Sequence, residues 1–406
     1  MSQLDNIDPK VLGQRLSESR KARGLTQQEA ADHLGVSRPT LIAIEKGARA
    51  PKAEEIVQLA RYYGRRVHEF VRPGAPMADL QPQLRTAARK MSVETADLVQ
   101  GIADLQQFAD DYCELERLMR APMTHSYPPE LRIGGRVDVA AIAEDAAIQE
   151  RRRLGLGDQP VLRLRSILEN DVGARVCYGS LPSAVAGMFA YGSDVGCCIM
   201  VNWKHPAERR RASLAHEYGH LFVDRYKPGI DRVHNRGRKA ADERFAEAFA
   251  MSFLMPASSI RRRFNDVVTA TEDFQIADLC RLSHMYFVSV EAMAFRLEGL
   301  GLIPRGTRDH LKESGFQVRK ASQMLNLPSN PERKDRFPQR YVFLAISAFE
   351  QARISEGQLA RFLRCDPVTV RAIVAEILTS QEVSIDGEVE FRQPVDFQRS
   401  LLTDVF

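Results

Sequence analysis

Cysteine is scarce in this sequence, and its spacing argues against two kinds of scaffold. The six cysteines among 406 residues include no Cys-x-x-Cys pair, which disfavours a disulfide framework and a structural zinc site. Long apolar segments are missing too, because no run of 18 apolar residues occurs. The N-terminus, Met1-Ser2-Gln3-Leu4-Asp5, lacks the basic and apolar parts of a signal peptide. We therefore predict a cytoplasmic protein without a membrane partner.

The composition is typical of a soluble globular protein, with 44% hydrophobic and 27% charged residues. A chain of this length can form two to four domains. Its net charge of +4 is concentrated at one end. Residues 1–73 contain 13 Lys and Arg against 9 Asp and Glu, whereas the other residues contain 44 of each sign. An N-terminal domain with this excess is compatible with phosphate binding, although four charges are a modest number.

The segment His216-Glu217-Tyr218-Gly219-His220 indicates a chemistry. Positions four apart lie on the same face of a helix, so the two imidazoles can bind one metal ion. Glu217, beside them, can take a proton from a water on that ion and pass it to a leaving amine. The motif therefore predicts a peptidase that uses Zn²⁺, with Mn²⁺ as the alternative metal.

The sequence around this motif is in the order that a zinc peptidase needs. Residues 197–202 predict a buried strand before the motif helix, and residues 242–256 predict a second amphipathic helix after it. The second helix offers a third ligand, because catalytic zinc sites of this type use two His and one Glu and leave a fourth position open. Glu243 and Glu247 are one turn apart, so one can bind the metal while the other orients a ligand histidine.

At these positions the chain resembles the ImmA/IrrE-type metallopeptidases, over about 165 residues. The matching positions are Leu181, Pro182, Gly187, residues 199–202, residues 210–220, Glu243, Ala246, Phe249, Ala250 and residues 254–256. The resemblance implies a zincin-like domain in which Glu217 is catalytic and His216, His220 and Glu243 bind the metal. That family usually has Asn or Asp where this chain has Glu247, so Glu247 stays the alternative ligand. The metzincin pattern fails because its third histidine would fall on Tyr226.

Other polar segments near the motif are predicted to be structural. Residues 231–237, which include His234, predict a surface loop between the two helices. A role for His234 or Tyr226 in substrate or transition-state binding is a secondary hypothesis. The arginine triplets at 151–153 and 261–263 predict solvated helix faces and not nucleic-acid sites.

Residues 24–47 predict two short helices around a tight turn. Thr26 can cap the first helix, and Glu29, three residues later, completes a capping box. Gly35 fits the turn because it adopts a positive φ at low cost, and Ser37 can cap the second helix. The apolar seam between the helices consists of Ala30, Leu34, Val36, Leu41 and Ile44. This pattern is typical of a helix-turn-helix.

The segment from Val11 to about Phe70 resembles DNA-binding domains of the xenobiotic-response-element and phage-repressor type. The resemblance implies that the second helix enters the major groove of double-stranded DNA. It makes Arg38, Pro39 and Ala43 the groove-facing positions, of which only Arg38 can make a bidentate contact to guanine. The implied phosphate contacts are Gln27, Ser37, Thr40 and Lys46. A protein-interaction scaffold is the alternative interpretation.

The rest of the chain completes a multidomain, mainly α fold. We predict a helix-turn-helix domain at 1–73, a helical connector at 74–130, an α+β peptidase domain at 131–303 and a mostly helical C-terminal domain at 304–406. An apolar stripe in the connector predicts either packing on a neighbouring domain or dimerisation, and the two half-sites of repressor operators favour dimerisation. The stripe consists of Leu98, Ile102, Leu105, Phe108 and Leu115.

Within these domains several elements can be placed. The peptidase domain should open with a helix at 140–154, contain strands at 161–164 and 175–178, and be nearly all helix from 257 to 303. At the C-terminal end, residues 354–371 predict a helix, a turn and a capped helix. Residues 383–391 alternate around Asp-Gly as a hairpin does, which makes this end winged-helix-like. The acidic hairpin favours a structural or dimerising role.

Two classes of function fit this sequence. In the first, a homodimeric DNA-binding regulator carries a working zinc endopeptidase that hydrolyses a repressor-like regulatory protein. In the second, the peptidase fold is a sensor or docking module in a transcription factor or an antitoxin-like protein. The complete set of His216, Glu217, His220 and Glu243 favours the first. So does the resemblance, because relatives release gene expression by cutting a helix-turn-helix repressor.

Overall fold

The chain is described by a computed structural model. It covers residues 8–65, 67, 70, 80–90, 95–134, 137–232, 240–328, 335–379, 382–385 and 388–391. The chain forms two compact units, Met1–Gln83 and Leu84–Phe406. None of the helices in the described ranges is both long and apolar enough to cross a membrane.

The described residues of the first unit form helices and the turns between them. Its helices are α1 (Pro9–Ala22), α2 (Gln27–Leu34), α3 (Arg38–Glu45) and α4 (Ala53–Tyr63), and α5 (Gln81–Lys90) begins at its end. Apolar side chains of α1 to α4 meet in one core that includes Leu16, Leu41, Ile44 and Leu59, and Phe70, which follows α4, packs in the same core. The seam predicted between α2 and α3 is part of this core, with Ala30, Leu41 and Ile44 fully buried.

The second unit is built around a four-stranded sheet. Its strands are β1 (Arg175–Gly179), β2 (Val185–Gly192), β3 (Gly196–Asn202) and β4 (Gly229–Arg232), in the order β1-β3-β2-β4. β1 and β3 are parallel, whereas β2 is antiparallel to both β3 and β4. Strand β3 is buried along its whole length, as expected for a central strand with both faces covered. The strands predicted near 175 and 197 are confirmed, and β2 was not predicted.

The strand predicted at 161–164 is wrong. Leu164–Ile167 is a helical turn, α8, which continues into a π-helical turn at Leu168–Val172. Val161 and Leu164 are buried while Leu162 is 59% exposed. Val161 and Leu164 are three positions apart. Such residues would point to opposite faces of a strand, whereas they point to the same side of a helical turn, so burial of both in the core favours the turn.

Helices cover the sheet and continue after it. They are α6 (Ala96–Met119), α7 (Val139–Arg153), α9 (Ala207–Val223), α10 (Ala241–Leu254), α11 (Ala257–Thr271), α12 (Ile276–Tyr286) and α13 (Val290–Gly299). One hydrophobic core joins the sheet to α7, α9 and α10 and extends to α12 and α13. The predicted opening helix and the helical run after residue 257 are confirmed.

The apolar stripe of α6 packs inside the chain. All five of its side chains have no exposed surface, and the helix lies against β1, β3 and a later helix, α16 (Gln339–Glu350). Arg175 at the start of β1 adds a buried ion pair with Glu116 of α6 at 2.7 Å. The stripe is therefore not a dimerisation surface, which corrects the favoured sequence interpretation; dimer formation by another surface stays a prediction.

The C-terminal end contains the expected helix, turn, helix and hairpin. After α14 (Thr307–Glu313), α15 (Val318–Met324) and α16 come α17 (Glu356–Leu363), α18 (Pro367–Thr379), β5 (Glu382–Ile385) and β6 (Glu388–Phe391). β5 and β6 pair in antiparallel fashion. Arg361 of α17 pairs with Glu114 of α6 at 3.1 Å, which attaches this segment to the second unit.

One of the arginine triplets is only partly solvated. Arg151 is 3% exposed and donates to the backbone carbonyl of Phe253 at 2.6 Å, so it connects α7 to the end of α10. Arg153 pairs with Glu150 at 2.6 Å. The prediction of a solvated face at 151–153 is therefore wrong for Arg151.

Candidate metal centre and helix-turn-helix face

The motif helix α9 lies between the sheet and α10. It contacts β2 and β3 on one side and α10 on the other, and all five motif residues are buried. Tyr218 donates a hydrogen bond to Glu150 of α7. Gly219 faces α10, where an added Cβ would lie 2.8 Å from the Cα of Ala246. The absence of a side chain at Gly219 therefore allows α9 and α10 to approach closely.

This close approach brings three predicted ligands together. The Nε2 atoms of His216 and His220 are 3.1 Å apart. The carboxylate oxygens of Glu243 lie 3.5 Å from Nε2 of His216 and 3.8 Å from Nε2 of His220. One donor atom from each residue lies within 4.8 Å of the others, so the group could hold a metal ion. Two ligands at zinc-like bond lengths in a tetrahedral site are about 3.3 Å apart, which is close to these separations.

Glu217 is buried beside the histidines without a hydrogen-bond partner for its carboxylate among the described residues. Its Oε1 atom lies against Gly187 of β2, where an added Cβ would be 2.6 Å away. Burial raises the pKa of Glu217 well above its ordinary value, the charge of His220 lowers it, and nearby carboxylates raise it further. A buried carboxylate of this kind fits a group that handles a proton at the site.

His220 is oriented from its other ring nitrogen by Asp224. Nδ1 of His220 is 2.9 Å from a carboxylate oxygen of Asp224. Burial lowers the pKa of His220, but the hydrogen bond that its Nδ1–H donates to Asp224 and the charges of the surrounding carboxylates outweigh burial and raise the pKa to about 9. A carboxylate behind a ligand histidine fixes the tautomer that leaves Nε2 for the metal. The sequence interpretation missed Asp224, although its position four residues after His220, directly after the end of α9, was a usable signal.

Two other candidates from the sequence, Glu247 and Tyr226, are exposed. Glu247 is exposed and is not in the compact group that Glu243 forms with the histidines. Tyr226 is 63% exposed and packs edge-on against Tyr191. His234 falls outside the described residues. The loop predicted from 231 is wrong at its start, because Asp231 belongs to β4 and pairs with β2.

The predicted capping pattern of the helix-turn-helix is confirmed. Thr26 and Glu29 form a reciprocal capping box, with the backbone N–H of Thr26 donating to Glu29 at 2.7 Å. Gly35 has a φ of 68° and ends α2. Ser37 accepts a hydrogen bond from the backbone N–H of Thr40 at 3.3 Å and begins α3.

The predicted DNA-contacting residues differ in how far their side chains are exposed. Arg38, Pro39 and Lys46 are exposed, and Ala43 is half-buried. The Ser37 and Thr40 hydroxyls are 2.8 Å apart. Gln27 is half-buried and donates to Glu45 at 3.0 Å. Its side chain is thus held by the buried Glu45, which also pairs with Arg20 at 2.6 Å.

Comparison with known proteins gives matches to both regions. The family model of the IrrE N-terminal-like domain, a peptidase family, matches residues 169–298, and that of the helix-turn-helix matches residues 16–70. The chain is 46% identical over 50 residues to an uncharacterized HTH-type transcriptional regulator of Methanothermobacter thermautotrophicus, a match that covers 72% of that protein and 12% of this chain. The chain belongs to the helix-turn-helix transcriptional regulators. This regulator also carries an IrrE N-terminal-like peptidase domain, and the domain contains the candidate metal centre.

Two further comparisons are partial or weak. The regulator is 36% identical over 61 residues to the cryptic phage CTXphi transcriptional repressor RstR of Vibrio cholerae. That match covers 15% of this chain and 55% of the repressor, so the chain spans about half of the repressor's length. The structure of ComR from Streptococcus suis aligns over 92% of this chain and 90% of its own, at 11% identity, with a TM-score of 0.16. This score is too low to support any comparison.

The regulator's donor set fits a divalent metal ion. Imidazole nitrogens and carboxylate oxygens are the ligands of catalytic zinc sites, and Mn²⁺ accepts the same donors. Asp231 is a further carboxylate near these residues. Burial raises its pKa, the charge of His216 lowers it, and the charge of Glu243 raises it. A cation among Glu217, Asp231 and Glu243 would offset their mutual repulsion.

Proposed function

We propose that this regulator is a metal-dependent endopeptidase attached to a DNA-binding domain, and that its substrate is a repressor-like regulatory protein. The observation that carries the proposal is the convergence of His216, His220 and Glu243, with donor atoms within 4.8 Å of one another, beside the buried Glu217. Two histidines, one carboxylate and an adjacent glutamate are what hydrolysis of a peptide bond needs.

The chain's own residues have distinct roles in this proposal. His216, His220 and Glu243 would hold Zn²⁺ or Mn²⁺, which when bound supplies Lewis-acid activation of the water and of the scissile carbonyl. Glu217 accepts the proton of the attacking water and returns it to the leaving amine. Its position supports this role, because a general base has to lie within reach of the proton that it accepts, and Glu217 is buried beside the two histidines.

The N-terminal domain is proposed to bind double-stranded DNA as part of a homodimer. Exposed Arg38 at the start of α3 can reach a guanine edge, and exposed Lys46 after α3 can reach a phosphate. Joining this domain to a peptidase would raise the local concentration of any repressor bound at the same operator. The proposed order of events is therefore delivery to DNA and then cleavage of a neighbouring regulator.

The test begins with metal analysis of protein purified without chelators, where we expect about one Zn²⁺ or Mn²⁺ per chain. The metal-loaded protein is then incubated with regulators encoded beside it, and the products are identified by mass spectrometry. Glu217→Gln should keep the metal and fail to cut, while Glu247→Gln, a matched change of an exposed glutamate, should cut as the parent does.

Two outcomes would redirect the proposal. Protein without stoichiometric metal, even after Zn²⁺ or Mn²⁺ is added, would remove the basis for peptidase chemistry. Metal binding without cleavage of any offered regulator would favour the alternative in which the peptidase fold is a sensor or docking module. The names of the relatives, which are transcriptional regulators, are consistent with that alternative.

A further inference from the structure

Asp231 on strand β4 reaches the candidate metal centre from the sheet. Its Oδ1 atom is 4.0 Å from Nε2 of His216, on the same nitrogen that faces His220 and Glu243, and its side chain is 20% exposed. It is 15 positions after His216, and neither the motif nor helical spacing points to it. Asp231 comes close to His216 because strand β4 pairs with strand β2 in the sheet.

The pairing of β4 with β2 holds Asp231 in this place. Asp231 is opposite Gly187 in the antiparallel register, and the same Gly187 lies against the carboxylate of Glu217. The register is shifted between Val185 and Gly187, as in a β-bulge, and bulges re-aim side chains next to functional sites. Gly187 of β2 is thus next to two residues with carboxylates, Glu217 and Asp231, and both lie beside the histidines.

The separation of Asp231 from His216 is close to that of two ligands of one ion. Ligands at zinc-like bond lengths are about 3.3 Å apart in a tetrahedral site. Asp231 is therefore less than 1 Å too far, and it lies outside the tight group that the other three form. Rotation about the side-chain torsions of an aspartate moves its oxygens by more than this distance. Asp231 can thus reach an ion held by the other three residues.

We propose that Asp231 is a fourth ligand of the metal in the substrate-free protein. This inference rests on the metal centre of the proposed function and goes beyond it, because three ligands would leave the fourth position open. With Asp231 bound, a water or a peptide carbonyl enters the site only by exchange with this carboxylate. The centre then has two histidines and two carboxylates, a more oxygen-rich set that suits Mn²⁺ as well as Zn²⁺.

The test uses the full-length protein with Co²⁺ as the metal, because the visible absorption of bound Co²⁺ changes with the number and type of its ligands. Spectra and dissociation constants are measured for the wild type, Asp231→Asn and Asp242→Asn. Asp242 is the matched control, since it is next to Glu243 on α10 and pairs with Lys227 at 3.3 Å. The Asp242→Asn substitution removes one negative charge near the site, as Asp231→Asn does, but at a residue that is not a proposed ligand.

We expect Asp231→Asn to change the Co²⁺ spectrum and to weaken binding at least about tenfold, the loss typical when a group that supports a metal is removed. Asp242→Asn should leave both unchanged. Melting temperatures in EDTA check that each variant is folded. If Asp231→Asn proves unfolded, Asp231→Glu is measured in its place; a longer carboxylate should keep the affinity but alter the spectrum.

The results separate this inference from the proposed function. Wild-type protein that binds no Co²⁺ would overturn the metal centre as a whole. A second outcome is that the wild type binds Co²⁺ and that Asp231→Asn and Asp242→Asn give the same spectrum and the same affinity as the wild type. This outcome would overturn only the role of Asp231. Equal effects of both substitutions would also overturn it, because the effect would then be one of charge alone.

Discussion

Gly219 of the motif helix and Ala246 of the next helix meet backbone to backbone. A Cβ at Gly219 would lie 2.8 Å from the Cα of Ala246 and 3.2 Å from its Cβ. The contact lies between the residues that carry the site, since His220 follows Gly219 directly and Glu243 precedes Ala246 by one turn. The spacing of α9 and α10 therefore decides whether one ion can reach both the histidines and the glutamate.

Gly219→Ala should separate the two helices. We expect a loss of about 1–3 kcal/mol in the free energy of unfolding, as in overpacked cores, together with weaker metal binding. Thermal unfolding in EDTA and a metal titration measure the two effects. Gly299→Ala is the control, because an added Cβ at Gly299 meets no atom within 4 Å. A Gly219→Ala protein with the stability and metal affinity of the control would show that the contact is not limiting.

The third ligand can be assigned with two glutamates of one helix. Glu243→Gln should lower the affinity for Zn²⁺ strongly, because Glu243 is within 3.8 Å of Nε2 of both histidines. Glu247→Gln, one turn later and exposed, should change it little. Competition with a fluorescent chelator measures both. The opposite ranking would make Glu247 the ligand.

Glu217→Gln should not destabilise the metal-free protein. The wild-type carboxylate is buried without a hydrogen-bond partner among the described residues, and its pKa is well above the ordinary value. An acid whose pKa is raised in the folded state destabilises that state at a pH above its unfolded pKa. We therefore expect the melting temperature of Glu217→Gln in EDTA at pH 8 to equal or exceed that of the wild type. A clear decrease would mean that the carboxylate makes a stabilising contact.

The DNA-binding prediction distinguishes a base contact from a phosphate contact. Arg38→Ala should cost about 1–3 kcal/mol on the specific operator and relax the sequence preference. Lys46→Ala should weaken binding to all sequences and reduce the dependence on salt. Fluorescence anisotropy on an operator selected from random DNA, at several salt concentrations, measures both. Identical behaviour of the two variants on specific and random DNA would contradict this docking.

The Arg20–Glu45 ion pair should control the stability of the first unit. The side chains are only 7% and 4% exposed, so Arg20→Ala leaves a buried carboxylate without its cation and should cost about 3 kcal/mol. Arg49→Ala is the control, since the Arg49 side chain is 35% exposed in its pair with Glu55 and should lose less than about 1 kcal/mol. Hydrogen exchange of α1 to α3 in the full-length protein measures both changes.

The same ion pair should make the first unit sensitive to acid. Burial alone would raise the pKa of Glu45, but hydrogen bonds from Arg20 and Gln27 outweigh burial and lower it. A lowered folded pKa gives stability that is fully present above the unfolded pKa of about 4.3 and is lost as the pH falls through the folded pKa. Exchange in α1 to α3 should therefore quicken below this pH in the wild type, after correction for the intrinsic rate, and much less in Arg20→Ala. Equal pH dependence in both proteins would exclude the pair as its source.

Local patterns predicted most of the helices and three of the four proposed metal ligands. The capping box of Thr26 and Glu29 depends on residues three apart, and the pairing of His216 with His220 depends on one turn of helix. Two of the wrong predictions concern residues whose structure depends on contacts with distant parts of the chain. The strand predicted at 161–164 is a helical turn, and the α6 stripe became part of an intramolecular core, because burial by distant elements decided both.

The sequence by itself therefore determined which chemistry the chain carries, since ligand spacing and helix caps are properties of neighbouring residues. Only the tertiary structure decided how the site is completed. Glu243 reaches the histidines because Gly219 lets two helices approach, and Asp231 reaches them because β4 pairs with β2 opposite Gly187. Such contacts join residues far apart in the chain, so they depend on the packing of whole elements, which no local periodicity records.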